Sequence, residues 1–486
     1  MNRLVLSVRY AVEGKSSMVN SRNMDMRFVT HIHIVGIGGI GMSAIAEVLI
    51  AQGYKVTGSD IFDSENTKRL RKVGVDVVFG HSPKNVVGSD VVVVSGAIES
   101  ENPEVLEASS KNIPVISRGE ILHEMMSNNI SIAVAGTHGK TTTTGLITNI
   151  FQAAGRDPSF VIGGILNETK QNARHGEGRH FIVEADESDG TFLKLRPVIA
   201  VVTNIDRDHL SNYQNSFEAL VDSFREFVDK VPFFGAIVLC VDDAVARSLV
   251  GKLKRPIITY GFDPGAVYRA KSVVIFENKS QFVVIRPFPH SRLLINLSIT
   301  GIHNVRNALA AIAVATEEGI GDIDILRGLK KFGGIGRRFE VKKLVVDKKN
   351  LILVDDYGHH PSELKCSIDT VRQVWPQRRL IMVFQPHRYT RNRDLLSEFA
   401  AVLGQTDVLI LCDVFAAGET PIEGAGSEAL AAFIQNTDRT ETFLVSGPME
   451  AAQVAKSIVG EGDVLMIQGA GDVGSISTRF QENNYA

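Results

Sequence analysis

A glycine- and threonine-rich segment at residues 136–142 has the composition of a phosphate-binding loop. Its glycines let backbone N–H groups approach a polyphosphate, and Lys140 can reach the terminal phosphates. The hydroxyl of Thr141 is a suitable ligand for Mg²⁺. Val134 stands where the common motif has its first glycine, so this loop is a shorter variant. The predicted ATP-binding residues of the loop are Gly136, Thr137, His138, Gly139, Lys140, Thr141 and Thr142.

Two acidic segments, at residues 184–189 and 204–209, each follow a hydrophobic run typical of a buried strand. The carboxyl ends of neighbouring parallel strands meet at one edge of a sheet. We therefore expect Glu184 and His209 to lie near the hydroxyl of Thr141. Oxygen ligands with one imidazole suit Mg²⁺ on nucleotide phosphates, so these three residues form the predicted metal site.

A second glycine-rich turn, at residues 36–41, also lies between a predicted strand and a predicted helix. Its glycines are Gly36, Gly38, Gly39 and Gly41. Asp60 ends the next strand, at the distance expected of a ribose-binding acid. The pattern by itself is typical of NAD binding. Physically it indicates only a pyrophosphate and a ribose, which UDP-linked sugars also contain.

The last third of the chain has polar clusters at residues 336–339, 355–361 and 385–391. The paired arginines Arg388 and Arg391 suit a carboxylate, which arginine binds bidentately. An arginine of the first cluster could reach a transferred phosphoryl group when a mobile domain closes. The adjacent His359 and His360 do not predict a metal site, because neighbouring loop residues rarely bind one ion.

The elements that must position these residues follow a strand–turn–helix pattern, which predicts an α/β protein with parallel sheets. Three such regions begin near residues 31, 131 and 333, and residues 267–300 favour an antiparallel patch. The predicted strands are His31–Val35, Tyr54–Gly58, Asp76–Phe79, Asp90–Ser95, Ile113–Ser117, Ile132–Ala135, Phe181–Glu184, Val198–Val202, Leu351–Val354, Leu380–Phe384, Val408–Cys412, Thr442–Val445 and Val464–Ile467. The predicted helices are Met42–Gln52, Thr141–Ala154, Asn215–Lys230, Asn304–Glu317, Pro361–Trp375 and Leu395–Leu403.

The composition of the 486 residues is that of a globular protein, with 44% hydrophobic and 22% charged residues. A net charge of −3 gives no overall basic field for nucleic acid. No hydrophobic run reaches the roughly 18 residues of a membrane span, so no membrane partner is expected. Three widely spaced cysteines fit a reducing, cytoplasmic location. Residues 1–29 are expected to be a disordered extension and make a poor signal peptide.

Six motifs, taken in their order along the chain, resemble the Mur ligase family. They are the segments 136–142, 184–189, 303–307, 336–339, 355–361 and 385–391. The resemblance covers about residue 31 to the end of the chain. It implies a Rossmann-like UDP-binding domain at 30–127, a central P-loop ATPase domain at 128–332 and a Rossmann-like amino-acid-binding domain at 333–486.

The resemblance also implies a reaction. ATP, with Mg²⁺, would phosphorylate the carboxylate of UDP-N-acetylmuramate, and the amine of L-alanine would displace phosphate from the acyl phosphate. This is the first amino-acid addition in peptidoglycan precursor synthesis. The substrates are all small molecules, and the expected assembly is a monomer or a weak homodimer.

Residue roles follow from the same resemblance. The expected catalytic residues are Lys140, Glu184, His209, Arg338 and His359. Further nucleotide contacts are expected from Asn304, Asn307, Arg338 and Asp356, although Asn304 is equally well suited to cap a helix. The expected UDP-sugar site is Gly36, Gly38, Gly39, Gly41, Asp60 and Ser95. The expected amino-acid site is His359, His387, Arg388 and Arg391.

Three other functions are compatible with parts of the sequence. A relative that recycles wall peptides would join UDP-N-acetylmuramate to a tripeptide, but it lacks the segment seen here at 385–391. An NAD-dependent oxidoreductase would use Gly36–Gly41 and Asp60, and would leave the loop around Lys140 unexplained. A non-enzymatic ATP-binding regulator would bind nucleotide without releasing phosphate.

Overall fold

The computed structural model describes residues 26, 28–437 and 440–482, and it contains three α/β regions, each built on one sheet. The first sheet is wholly parallel, with the strand order β3-β2-β1-β4-β5. Its strands are β1 His31–Val35, β2 Lys55–Asp60, β3 Asp76–Phe79, β4 Val91–Val94 and β5 Val115–Ser117. Its helices are α1 Ile40–Ala51, α2 Glu65–Lys72, α3 Pro103–Ser110 and α4 Arg118–Met126.

The second sheet has ten strands in the order β15-β14-β13-β12-β11-β10-β6-β9-β7-β8. Its strands are β6 Ile130–Ala135, β7 Ser159–Val161, β8 Ala173–Arg174, β9 His180–Glu184, β10 Ile199–Val202, β11 Ala236–Cys240, β12 Ile257–Gly261, β13 Tyr268–Ile275, β14 Ser280–Ile285 and β15 Leu293–Leu297. Strands β13 to β15 pair antiparallel, which confirms the antiparallel patch. Its helices are α5 Lys140–Ala153, α6 Phe217–Asp229, α7 Ala244–Leu249, α8 Ile302–Glu317 and α9 Asp322–Lys331.

The third sheet has six strands in the order β16-β17-β21-β18-β19-β20, and only its edge strand β16 is antiparallel. Its strands are β16 Glu340–Val346, β17 Lys349–Asp356, β18 Leu380–Phe384, β19 Val408–Cys412, β20 Glu441–Val445 and β21 Val464–Gln468. Its helices are α10 Pro361–Val374, α11 Tyr389–Asp394, α12 Leu396–Leu403, α13 Ser427–Thr437, α14 Pro448–Ile458 and α15 Ser475–Glu482. The predicted α/β class with parallel sheets is therefore confirmed.

Buried hydrophobic runs explain why the central strands form where they do. Strand β4 consists of four valines, and β18 is buried along its whole length, as strands covered on both faces must be. One continuous apolar core contains residues of the first sheet and of one face of the second, for example Ile34 and Phe181. The first two regions therefore pack on each other directly, which fixes the position of the first glycine turn relative to α5.

One sequence expectation differs from the structure in the third region. Asp355 and Asp356 were expected just beyond a strand, but they are the last residues of β17. Strand β17 extends this far because it pairs with β16 on one side and with β21 on the other. The predicted disordered extension at 1–29 lies outside the described residues, except for positions 26, 28 and 29.

Among the residues that the structure describes, no helix combines the length and the hydrophobicity needed to cross a bilayer.

Candidate active site

The three regions meet around a cavity of about 620 Å³. Its wall contains residues that come from all three sheets. Predicted site residues in the wall are Gly41, Thr137, His138, Gly139, Lys140, Thr141, Thr142, Glu184, His209, Arg338, His359, His387, Arg388 and Arg391. The structure thus brings all of the predicted catalytic, metal and amino-acid residues to one place.

Glycine is required at two positions of the loop that precedes α5. Gly136 has a φ of +133°, and a Cβ there would lie 2.0 Å from the hydroxyl of Thr203. Gly139 caps α5 with a φ of +81°, and a Cβ there would lie 2.6 Å from the side-chain oxygen of Asn307. Because these two residues have no side chain, the loop can pack closely against Thr203 and Asn307. The N-terminus of α5 therefore stays open to an anion.

Lys140 lies in the first turn of α5 and is almost buried. Its Nζ donates to the carbonyl oxygen of Gly136 at 2.7 Å and to Glu187 Oε2 at 2.7 Å. Burial alone would lower the pKa of Lys140, but attraction by Glu187, Asp186 and Glu184 raises it above its usual value. The lysine is therefore charged, and it is held against the loop that would surround a phosphate.

Thr141 and Glu184 face each other across the strand–helix junction. The Thr141 hydroxyl donates to the two carboxylate oxygens of Glu184 at 3.1 and 3.0 Å, and the Gly163 amide donates to the same carboxylate. Burial lowers the pKa of His209, so its ring is neutral and can offer a lone pair. A hydroxyl, a carboxylate and a neutral imidazole on one cavity wall are a donor set that fits Mg²⁺.

A second cavity of about 180 Å³ lies on the other side of the loop. The predicted nucleotide contacts Asn304, Asn307, Arg338 and Asp356 all line it, together with Tyr260. The Asn307 amide donates to Asn304 Oδ1 at 3.2 Å, while Asn304 donates to the carbonyl oxygen of Thr300. These polar groups beside one aromatic ring suit a nucleoside next to the phosphate loop.

His138 connects the phosphate loop to the third region. Its Nε2 lies 3.1 Å from Asp206 Oδ2, and its Nδ1 lies 3.3 Å from Glu363 Oε1. Burial disfavours the charged ring, but the two carboxylates outweigh this and raise the pKa of His138 to about 9. Ligand atoms of His138, Asp206 and His360 lie within 4.8 Å of one another, as in a metal site. In this structure both ring nitrogens of His138 lie against carboxylates, so the group forms an ion-pair network.

This network predicts a pH-dependent contribution to stability. The raised pKa means that His138 stabilises the folded protein fully below its ordinary pKa of 6.5, and that this contribution is lost as the pH rises through about 9. We therefore expect the urea concentration at the midpoint of unfolding to decrease as the pH is raised from 6.5 to about 9. In the His138→Gln variant this part of the pH dependence should disappear. Parallel curves for the two proteins would contradict the assignment.

Two neutral histidine rings lie next to each other on the side of the cavity that the third region forms. The ring centres of His359 and His387 lie 5.4 Å apart, and His387 stacks on Phe415 at 5.6 Å. Burial lowers the pKa of His359 to about 3 and that of His387 to about 4. Both rings can therefore accept a hydrogen bond from an ammonium group.

The two arginines predicted to bind a carboxylate differ in their surroundings. Arg391 is buried and holds Asp208 of the central region, with Nη2 at 3.0 Å from Oδ1. The side chain of Arg388 is 48% exposed, and its nearest acidic neighbour is Glu419, whose Oε1 lies 3.9 Å from Arg388 Nη1. The Arg388 φ of +72° is rare for a residue with a side chain, and the residue lines the cavity.

Only part of the UDP-sugar site predicted in the first region lines this cavity. Gly41 lies in the wall, whereas the others lie outside it, at the carboxyl ends of β1, β2 and β4. Asp60 Oδ2 accepts a hydrogen bond from the Gly38 amide at 2.8 Å, which fixes the glycine turn. The Ser95 hydroxyl would lie 3.2 Å from a Cβ at Gly36. The residues outside the cavity are Gly36, Gly38, Gly39, Asp60 and Ser95.

Sequence reasoning missed several residues that the structure places in the site. Glu363 lies in the wall because it caps α10, where its carboxylate accepts the backbone N–H groups of His359 and His360. The spacing from His360 to Glu363 is a capping-box spacing, which was the available signal. Arg118 gave no such signal, because only the packing of separate regions brings it to the cavity. Asp208 lies in the acidic segment 204–209, but nothing in its spacing assigned it a role of its own.

Comparison with known proteins agrees with this architecture. Three family models match the chain: the Mur ligase family catalytic domain at 31–129, the Mur ligase middle domain at 134–315 and the Mur ligase glutamate ligase domain at 337–471. The chain is 48% identical over 456 residues to a UDP-N-acetylmuramate–L-alanine ligase of Legionella pneumophila, covering 94% of this chain and 97% of that protein.

Two solved structures resemble this chain along most of its length. A UDP-N-acetylmuramate–alanine ligase from Thermotoga maritima matches with a TM-score of 0.79 and 28% identity, covering 93% of this chain and 98% of that one. A murein peptide ligase from Psychrobacter arcticus matches with a TM-score of 0.68 and 26% identity, at the same coverage. The chain belongs to the Mur ligase family.

Proposed function

We propose that the protein joins L-alanine to the carboxylate of UDP-N-acetylmuramate and converts ATP to ADP and phosphate. The observation that supports the proposal is one cavity whose wall combines a glycine- and lysine-containing loop, an acidic face and an arginine–histidine face. The Legionella relative carries the same activity in its name, at 48% identity. The reaction adds the first amino acid to the peptidoglycan precursor.

The chemistry requires a carboxylate to become an electrophile. Transfer of the γ-phosphate of ATP to the muramoyl carboxylate gives an acyl phosphate, which contains a good leaving group. The alanine amine then attacks the carbonyl carbon, and phosphate leaves. Lys140 would bind the transferred phosphate and offset its charge. Arg338 lies over the ring of Tyr357 at 5.0 Å and lines both cavities, which suits a contact with the γ-phosphate.

The remaining roles divide between the two cavities. Asn304, Asn307 and Asp356 would bind the nucleoside of ATP in the smaller cavity. His359, His387 and Arg388 would bind alanine in the larger cavity, while Arg391 would hold Asp208 beside it. The glycine turn of the first region, with Asp60 and Ser95 behind it, would bind the UDP group.

Mg²⁺ would be held by Thr141, Glu184 and His209, and when bound it would neutralise part of the phosphate charge. We expect the Glu184→Gln variant to need about tenfold more Mg²⁺ for half-maximal turnover, because a carboxamide carries no charge. Titration of turnover with Mg²⁺ tests this. Glu177→Gln is a matched control, since Glu177 is exposed and lies outside the cavity. An unchanged Mg²⁺ requirement would remove Glu184 from the metal site.

The direct test is phosphate release from ATP and Mg²⁺, with UDP-N-acetylmuramate and L-alanine added singly and together. Release that depends on both substrates supports the ligase. Release with a tripeptide but not with L-alanine would favour the recycling reaction. Reduction of NAD without ATP would favour an oxidoreductase. Nucleotide binding without phosphate release under all these conditions would favour a regulator.

We also propose domain boundaries at residues 30–127, 128–332 and 333–486, a cytoplasmic location and a monomer or weak homodimer. The boundaries are supported by the three sheets, whose strands fall within these ranges. The location follows from the nucleotide substrates of the proposed reaction.

A further inference from the structure

The segment at residues 413–419 follows β19 and lies along the residues of the candidate amino-acid site. The Phe415 amide donates to the carbonyl oxygen of Pro386 at 2.8 Å, and the Arg388 amide donates to the carbonyl oxygen of Phe415 at 2.9 Å. Phe415 and His387 thus form an isolated parallel bridge. One residue of the segment therefore holds the backbone on both sides of His387.

A second contact anchors the far end of the same stretch. The Glu419 carboxylate accepts hydrogen bonds from the Thr390 amide at 3.0 Å and from the Thr390 hydroxyl at 2.6 Å. Burial acts against the charged carboxylate, but these two hydrogen bonds and the charge of Arg388 outweigh it, so the pKa of Glu419 lies below its usual value. The side chains of His387 and Arg388 consequently start from a backbone that is fixed at both ends.

The ring of Phe415 then fixes the imidazole itself. The rings of Phe415 and His387 are nearly parallel, at 14°, with their centres 5.6 Å apart. Gly471 leaves room for the phenyl ring, because a Cβ there would lie 2.8 Å from Phe415 Cγ. His387 lines the large cavity, whereas Phe415 lies outside its wall. The phenyl ring thus supports the imidazole from behind.

We propose that Phe415 is a positioning residue for amino-acid binding, because its ring holds the His387 imidazole in the orientation that meets the substrate. Without the phenyl ring, the imidazole loses its neighbour on one face and can turn away from the cavity. Phe415 acts only through His387 and does not contact the substrate. This assignment rests on the proposed function, since it takes L-alanine as the ligand of His387.

The test is steady-state kinetics of Phe415→Ala, with each substrate varied in turn. We expect the KM for L-alanine to rise by about 5- to 10-fold, the size expected for the loss of one aromatic contact. The kcat and the KM for ATP should stay within about twofold of normal, because the change removes binding rather than transition-state stabilisation. Phe415→Tyr keeps the ring and should restore the normal KM. Because Phe415 is 36% exposed, its truncation opens no closed cavity in the core. An unchanged KM for L-alanine in Phe415→Ala would overturn the assignment.

A double-mutant cycle shows whether the phenyl ring acts through the imidazole. In a His387→Ala background, Phe415→Ala should cause no further rise in the KM for L-alanine. Additive effects would mean that Phe415 acts independently of His387, and would overturn the assignment. Phe433→Ala is the matched control, since Phe433 is 41% exposed on α13 of the same region and lies outside both cavities. An equal rise in this control would mean that the third region as a whole is disturbed, and would also overturn the assignment.

A measurement without substrates separates this assignment from the proposed function. A stacked phenyl ring shifts the NMR signals of the His387 ring protons, which the His387→Ala variant identifies. We expect these signals to move in Phe415→Ala and to keep their position in Phe433→Ala. Signals that do not move in Phe415→Ala would overturn the positioning role. If they move but the unaltered protein releases no phosphate from ATP with UDP-N-acetylmuramate and L-alanine, the positioning of His387 stands and the proposed function is wrong.

Discussion

Replacing Lys140 by alanine should lower kcat by about 10³-fold or more, while UDP-N-acetylmuramate still binds with nearly its normal affinity. A cation on a transferred phosphoryl group contributes to the rate on this scale. Lys140 is in the first turn of α5, at the loop of the central region. The glycine turn of the first region is a separate segment that Asp60 fixes without Lys140.

The variant leaves a buried carboxylate without its counter-ion. The side chain of Glu187 is 1% exposed and lies 2.7 Å from Lys140 Nζ. Burial already raises the pKa of the Glu187 carboxyl to about 7, so without the lysine this group takes up a proton rather than remaining charged. We therefore expect Lys140→Ala to fold, with a modest loss of thermal stability.

The double variant Lys140→Ala with Glu187→Gln separates the two roles of the lysine. It contains no unpaired buried charge, so any loss of activity in it comes from the missing phosphate contact. We expect phosphate release to stay as low as in the single variant. Recovery of turnover would mean that Lys140 only neutralises Glu187. A collapse of UDP-sugar affinity in a folded variant would contradict the assignment of that substrate to the first region.

Local signals were sufficient to predict most of the parallel strands and the phosphate loop. Strands His31–Val35, Leu380–Phe384 and Val408–Cys412 were predicted to the residue, because hydrophobic runs buried on both faces have sharp ends. The loop before α5 was predicted because its glycines and Lys140 are consecutive in sequence. Strand β16 was missed, since an edge strand with three exposed or half-buried charged residues lacks that hydrophobic pattern.

Contacts between regions could not be predicted, because they depend on how separate folding units pack. The sequence placed Arg391 in the amino-acid site without indicating that Asp208, 183 residues away, would hold its guanidinium. The same is true of His138, whose partner Glu363 belongs to the third region. The identity of such pairs follows from the packing, not from any spacing along the chain.

Replacing Arg388 by alanine should raise the KM for L-alanine by about 10- to 100-fold. A charge-assisted hydrogen bond to a carboxylate is worth about 1.5 to 3 kcal/mol, which corresponds to a change of that size. Of the two arginines predicted to bind the carboxylate, Arg391 is already engaged by a buried aspartate, whereas the nearest acidic neighbour of Arg388 lies 3.9 Å away. Arg388 is therefore the one whose guanidinium is available to an incoming carboxylate.

The two arginines should respond differently to substitution. Arg391→Ala leaves the buried Asp208 without its arginine counter-ion, so it should lower the thermal stability, whereas Arg388→Ala should not. Arg393→Ala is the control on the same helix, since Arg393 is half exposed and pairs with its neighbour Asp394.

Steady-state kinetics, with each substrate varied in turn, test whether Arg388 binds the carboxylate of L-alanine. We expect Arg388→Ala to change the KM for L-alanine and to leave the KM for ATP and for UDP-N-acetylmuramate near their normal values. If all three rise together, the arginine acts on domain closure. If the KM for L-alanine is unchanged, the carboxylate must bind elsewhere in the cavity. Arg391 would then be the candidate, and binding would require it to release Asp208 first.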